Sequence, residues 1–257
     1  QKFYDLYPPE RIRMPLSPAD DLNDVPAVGR EFAGFRREEF DRIVKEGKWR
    51  DSVHSYLAAI SFADSMIGRL LDAFDRSPHA ADTATVFFSD NGWHLGEKQH
   101  FHKSTLWQRS THVPMIVSAP GAKSGPRRQP VTLLDIYPTL VELCGLPAKP
   151  DLDGESLVPL LKNPKAPRKP AVSTYLQGNH AVISERWRYI RYRDGGEELY
   201  DRRKDPNEFR NLAGEAKLSA IKKELAQHVP AQSVPAKAPR SEVDFDYKTY
   251  TYRRKGT

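Results

Sequence analysis

The stretch Thr83-Ala84-Thr85-Val86-Phe87-Phe88-Ser89-Asp90-Asn91-Gly92 decides how the chain is read. Its first six residues form a continuous β-rich run rather than an alternating one, as expected of a strand buried on both faces of a parallel sheet. The run stops at Ser89-Asp90-Asn91-Gly92, where Gly92 lets the chain turn away without a side chain in the way. Ligands of open α/β sheets bind at the carboxyl ends of strands. Asp90 and Asn91 offer a carboxylate and an amide carbonyl there, hard oxygen donors that suit Ca²⁺ and, less well, Mg²⁺. Taken alone, Asp-Asn-Gly after a strand reads more simply as a tight turn.

The residues that follow change that balance. Trp93 to Lys103 holds three histidines (His94, His100 and His102), two lysines and two aromatics. A loop this polar beside a metal-donor pair suits an anion. Lysine is a compact charge with three donors for sulfuryl or phosphoryl oxygens, and histidine donates a hydrogen bond or carries a proton near neutral pH. For His94, His100 and His102, lining a substrate pocket and facing solvent weigh equally. His112, just before the next strand, is expected to be structural, and Trp93, Phe101 and Trp107 to pack against the sheet.

Working outward, a second buried strand is predicted at Val113–Val117. Upstream, Val53, Tyr56, Leu57, Ile60, Ala63, Ile67, Leu70, Leu71 and Phe74 recur at three- and four-residue intervals, predicting a helix that ends before Pro78. Its apolar stripe is expected to pack on a sheet. Leu134–Leu143 reads as a second helix with Asp135 as N-cap and Gly145 as its stop. Helix, strand, strand, helix implies an α/β sheet with helices on its faces. Residues 1–30, with Pro8, Pro9, Pro15, Pro18 and Pro26, are expected to be an extended surface loop. Lys162–Pro170 reads as a linker. Beyond it, short strands are predicted at Ala171–Leu176, Ala181–Ser184, Trp187–Tyr192 and Glu198–Tyr200, with a hairpin at Asp194-Gly195-Gly196. A helix around Lys217–His228 precedes a Pro- and Ala-rich tail that is expected to wrap the surface or to be disordered. The domain reading is therefore 1–165 for an α/β portion and 166–257 for a smaller subdomain with an antiparallel sheet.

Bulk composition sets bounds. At 39% hydrophobic and 29% charged residues, the chain has an ordinary globular balance, and no apolar run approaches the roughly 20 residues of a membrane helix. Net charge is +6, and 13 Lys or Arg against 8 Asp or Glu lie from Asp201 onward. That excess reads either as affinity for polyanions or, more simply, as a solvated surface; neither a nucleic-acid partner nor a membrane is expected. The single cysteine, Cys144, precludes an internal disulfide and is expected in the core on an apolar helix face.

The run Ser89-Asp90-Asn91-Gly92-Trp93-His94-Leu95-Gly96-Glu97, continued by Lys103 and Thr111-His112-Val113-Pro114, resembles the type I sulfatases of the alkaline-phosphatase superfamily, most nearly the iduronate-2-sulfatase-like group. Leu133–Leu140, Gly154–Leu157, Glu185–Ile190, Glu198–Asp201 and Asp205-Pro206 resemble later stretches of the same family. The resemblance implies the C-terminal part of an alkaline-phosphatase-like α/β domain followed by a small α+β subdomain. It also implies hydrolysis of a sulfate ester, on a sulfated small molecule, sugar or glycosaminoglycan, with a bound divalent cation, usually Ca²⁺. Asp90 and Asn91 match late metal ligands, and Lys103 matches the lysine that contacts the sulfate. The family's nucleophile, a formylglycine made within C/S-x-P-x-R, and its early Asp-Asp pair and catalytic histidine are expected upstream of Gln1. The partner implied is thus an N-terminal portion of the same protein, and the compartment periplasmic, secreted or lysosomal. Ser124-Gly125-Pro126-Arg127-Arg128 fits the bare motif, but it lies in a polar loop after the signature and is read as coincidence. Two other readings stay open: a phosphodiesterase or phosphonate hydrolase of the same superfamily, and a non-catalytic anion- or glycan-binding remnant.

Overall fold

The computed structural model describes residues 1–234, 243–246, 248–249 and 251–254. Seven helices are described: α1 (Ala27–Gly34), α2 (Arg37–Lys45), α3 (Trp49–Asp75), α4 (Gln108–Thr111), α5 (Ile136–Leu143), α6 (Val158–Lys162) and α7 (Ser219–Ala226). The strands are β1 (Thr85–Phe88), β2 (Met115–Ser118), β3 (Ala171–Thr174), β4 (His180–Ile183), β5 (Trp187–Arg191), β6 (Glu197–Asp201), β7 (Val243–Asp246) and β8 (Thr251–Arg254).

Strands β3 to β6 form an antiparallel meander in sequence order. Side chains alternate across a strand, and here both sides are covered. Ala181, Ile183, Ile190, Tyr192 and Tyr200 face Val25, Val28, Phe32, Leu106 and Trp107. On the other side, Val182, Tyr189 and Leu199 pack with Leu225 of α7 and Val229. The β5–β6 turn closes at Gly195, whose φ of +86° is the left-handed conformation the hairpin requires. The first of these clusters joins residues from both sides of position 165, so the small sheet is seated on α1 and on Leu106 and Trp107.

Sequence reading differs from the structure at several places. Residues 1–30 are not wholly extended: α1 begins at Ala27, behind Pro26, and α2 follows it. Strand β1 pairs with β2 antiparallel, not in a parallel ladder, and Phe87 and Phe88 remain partly exposed. A continuous apolar run reports how hydrophobic a strand is, not the direction of its neighbour. The α3 stripe is present as a 27-residue helix, but among its large apolar residues Ile60, Phe62 and Leu70 are exposed; only Val53 and Ala58 are buried. Cys144, expected in the core, is exposed at the C-cap of α5, where the helix has already ended. Asp135 stands at the N-cap of α5 as expected, but its side chain makes no cap bond there; it reaches back to Thr132 in the capping box of a short 3-10 turn, Leu133–Asp135, that leads into the helix. Gly145, at φ +63°, ends the helix as expected. Most of the tail from Pro235 lies outside the described residues, although β7 and β8 pair within it.

Candidate anion and metal site

The signature is an excursion from the β1–β2 ladder. The amide of Ser89 donates to Pro114 O, and that of Gly92 to Ser110 O at 2.9 Å. Everything from Trp93 to Arg109 is therefore a loop standing on two adjacent strand ends. Gly92 is required by proximity: a Cβ there would lie 2.0 Å from Arg109 O. Gly96 is required twice over, by its φ of +127° and because a Cβ would meet the Trp49 ring at 2.5 Å. Trp49 in turn donates Nε1–H to Leu95 O at 2.6 Å, tying the start of α3 to the loop. Glu97 accepts from Leu95 N at 2.8 Å and pairs with Arg109 at 3.0 Å, closing the loop across its neck. Lys98, Gln99 and Ser104 all hold positive φ without being glycine, a strain that persists only where the surroundings over-determine the backbone.

Those surroundings are a buried polar lattice. Lys98 Nζ donates to Asp21 Oδ1 at 2.7 Å and to Glu208 O, and both side chains of the Lys98–Asp21 pair are almost fully buried. Burial pushes the Asp21 carboxyl up, with Lys98 opposing. Glu208 bridges the loop to the meander: it accepts from Gln108 N at 2.8 Å and faces Arg188 Nε at 2.6 Å. Arg188, reaching from β5, also donates to Leu106 O and Thr111 Oγ1, each at 2.9 Å. Glu198 of β6 accepts from Trp107 Nε1 at 2.7 Å and from the hydroxyls of Tyr192 and Tyr200. Its burial raises its carboxyl despite those three donors.

Two of the three loop histidines belong to the same lattice. His94 donates Nδ1–H to Glu97 O at 3.0 Å, and its Nε2 lies 2.9 Å from Thr105 Oγ1. His100 faces Ala33 O at 3.1 Å and Lys103 O at 2.9 Å. Both rings have 0% exposure. Burial is the largest cause that holds both below the ordinary histidine value, in His94 reinforced by the neighbouring His100 and in His100 opposed by the two carbonyls. Neither ring reaches solvent; His100 instead fixes the backbone of Lys103. His102 stays partly exposed, its ring tilted by 41° against Trp93 at 4.6 Å between centroids. Of the aromatics, Trp107 is a core residue at 1% exposure.

The remaining signature residues lie outside the lattice. Asp90 is exposed, and Asn91 and Lys103 are half-buried. Among the described residues no cation pairs with the Asp90 carboxylate and no carboxylate with Lys103 Nζ. A carboxylate and an amide oxygen side by side, both uncommitted, fit a hard divalent cation as part of a ligand set; among the described residues no group of three or more His, Cys, Asp or Glu forms a complete one. His112, expected to be structural, is exposed and lines a cavity of about 720 Å³ that Asp90 also lines. Ser124 lies exposed in a loop whose Arg127 is spent on the carbonyls of Leu160, Leu161, Lys123 and Gly125, so the bare S-x-P-x-R match serves packing.

Sequence reading missed Lys98, Arg188, Glu198 and Glu208. A usable signal existed in β5 and β6. Arg188 and Glu198 alternate with Tyr189 and Leu199 in strands covered on both faces, and a charge buried on either face requires a partner.

The sulfatase family matches residues 17–146, and the N-sulphoglucosamine sulphohydrolase C-terminal family matches 96–234. A sulfatase of Formosa agariphila is 41% identical over 86% of the chain and 45% of its own length. The choline-sulfatase of Rhizobium meliloti is 29% identical over 94% and 50%. Among solved structures, a 2-O GAG sulfatase superposes with a TM-score of 0.70 at 25% identity, covering 84% of the chain and 51% of that structure. A phosphonate monoester hydrolase from Silicibacter pomeroyi, at 22% identity and a TM-score of 0.74 over 87% and 51%, shares the fold. The chain spans about half the length of the first curated relatives it matches.

Proposed function

The chain belongs to the sulfatase family, and from that premise we propose that it supplies the electrostatic side of sulfate-ester hydrolysis. One observation carries the reading: beside a loop whose Lys98, His94 and His100 are buried and hydrogen-bonded, the side chains of Asp90, Asn91 and Lys103 are solvent-accessible and, among the described residues, uncommitted. Asp90 and Asn91 would contribute oxygen ligands to a divalent cation, Ca²⁺ before Mg²⁺; when bound, such an ion draws charge from sulfate oxygens. Lys103 would donate to an oxygen of the transferred group and offset the charge it gathers. The nucleophile, a formylglycine by family resemblance, and the remaining metal ligands would come from residues outside this chain, in an N-terminal portion of the same protein. The bare apolar residues of β1 and α3 are consistent with such a companion. A sulfated sugar is the proposed substrate class. The N-acetylglucosamine-6-O-sulfatase of Bacteroides thetaiotaomicron, 28% identical over 88% of the chain, is one relative named for such a substrate. Likeness to the iduronate-2-sulfatase-like group rests on the Ser89–Glu97 signature alone. An exported or lysosomal site of action is proposed on the same resemblance.

The test is Lys103→Ala in the full-length protein with 4-nitrophenyl sulfate as substrate. Removing one preorganised donor from a developing oxyanion is expected to lower kcat by about 10²–10³-fold, with the melting temperature unchanged. Near-wild-type turnover overturns the role given to Lys103.

A further inference from the structure

The cavity shared by Asp90 and His112 is also lined by four arginines, Arg127, Arg128, Arg188 and Arg202. Arg202 lies on the turn after β6, and Ser173 of β3 is among the other lining residues. These cations are not equivalent. Arg188 is matched by Glu208. Arg202 has no carboxylate partner among the described residues: its Nη1 donates to Ser184 O at 2.8 Å, and its Nε is buried with no acceptor. Arg128 is exposed and also lacks a carboxylate partner among the described residues. Arg202 is half-buried and borders a space of about 720 Å³, and a partly desolvated guanidinium without a counter-charge favours an anion brought into that space. The volume falls in the range of small-molecule sites, about 300–1,000 Å³, with room for a sugar ring beyond a sulfate. A guanidinium fork matches a planar carboxylate or a sulfate edge with two parallel bonds.

We propose that this cavity is a recognition subsite for a second anionic group on the substrate, and that Arg202 binds that group, a carboxylate or a second sulfate, while Asp90 marks the end where the scissile sulfate sits. The proposal rests on the sulfate-ester reading above. It assigns Arg202 to specificity and not to the chemical step, with Ser173 and His112 as neighbours able to hydrogen-bond sugar hydroxyls. Loss of a charged hydrogen-bond partner in such a pocket discriminates between ligands by about 10- to 100-fold.

The experiment uses the full-length protein, with 4-nitrophenyl sulfate as reporter and sulfated sugars as competitors in two arms. One arm compares glucosamine 2-N,6-O-disulfate with glucosamine 6-O-sulfate. The other compares a 2-O-sulfated uronate disaccharide with its carboxyl-reduced form. In the wild type, the more anionic member of at least one pair is expected to compete about tenfold better or more, and that arm identifies the second anion. Arg202→Gln should close the gap while leaving kcat/KM for 4-nitrophenyl sulfate within about twofold, and Arg202→Lys, which keeps charge without the fork, should restore part of it. No gap in either arm of the wild type, or a gap that survives Arg202→Gln, overturns the subsite. Equal loss with every sulfate ester assigns Arg202 to holding the Ser184 turn and also overturns it. Absence of any 4-nitrophenyl sulfate turnover by the wild type removes the sulfate-ester reading itself and the subsite with it.

Discussion

Lys98 and Lys103 stand in one loop, yet one is spent on structure and the other is free for chemistry. Lys98 points toward the four-stranded meander, is 2% exposed, and has its charge answered by Asp21 and a carbonyl. Lys103 has its backbone held by His100 and its ammonium unpaired among the described residues. The same division runs through the histidines, with His94 and His100 inside and His102 at the edge. A composition that looks like one cluster of ligand-binding residues is thus two layers. The inner layer over-determines a strained backbone so that the outer layer stands in a fixed place, as preorganised electrostatic catalysis requires.

The sharpest way to break that division is at Glu208, which joins the loop to β5. Removing its carboxylate leaves Arg188 buried without its counter-charge and Gln108 N without its acceptor. Breaking a buried pair from one side costs about 3–5 kcal/mol, so Glu208→Ala should lower the unfolding free energy by that amount in denaturant titration. Lys103→Ala should leave the same titration unmoved. Equal small effects of both substitutions would dissolve the two-layer picture.

Gly96 offers the next largest effect. An added methyl meets Trp49 and forces an L-residue to φ +127°. Backbone strain and overpacking together are expected to cost roughly 2–4 kcal/mol. Gly68 is the control: it lies within α3 with nothing within 4 Å of an added Cβ. Gly68→Ala should therefore stabilise by about 0.5–1 kcal/mol through helix propensity. The paired melting curves sharpen the contrast, because one glycine is demanded by the loop and the other by nothing in the structure.

The sequence made the outer layer legible and hid the inner one, for a physical reason. Asp90, Asn91 and Lys103 belong to a short contiguous signature, and their types alone announce oxygen donors and an anion partner. The lattice is non-local: Lys98 meets Asp21 and Glu208, and Trp107 meets Glu198, across spans no periodicity records. The fold divides in the same way. The four meander strands were read to within a residue or two, because alternation and the Asp194–Gly196 turn are local signals. The direction of the β1–β2 ladder was misread, because apolar continuity carries no information about strand order. Helix α1 is hidden in the sequence by the nearby prolines, although Pro26, at its N-cap, precedes the helix and removes no intrahelical hydrogen bond.

The smallest expected effect is the pH response of the inner layer. Burial disfavours the charged form of His94 and, against its two carbonyl partners, of His100 in the fold, while in the unfolded chain they titrate near the ordinary value of 6.5. As pH falls below 6.5, the unfolded state takes up protons that the folded state refuses. Stability is therefore full above 6.5 and is lost on acidification toward the lowered folded values. Each such histidine contributes up to about 1.4 kcal/mol per pH unit across that window. Replacing His94 with Gln removes one titrating group, so the slope of unfolding free energy against pH, measured between about 6.5 and 5.5 where the two states differ, should fall by roughly that amount. The slope is the readout, because the substitution also disturbs the contacts to Glu97 and Thr105 and shifts absolute stability at every pH. An unchanged slope would mean that His94 takes up a proton inside the fold. Its ring would then belong with Lys103 in the outer layer, among the groups able to serve an anion.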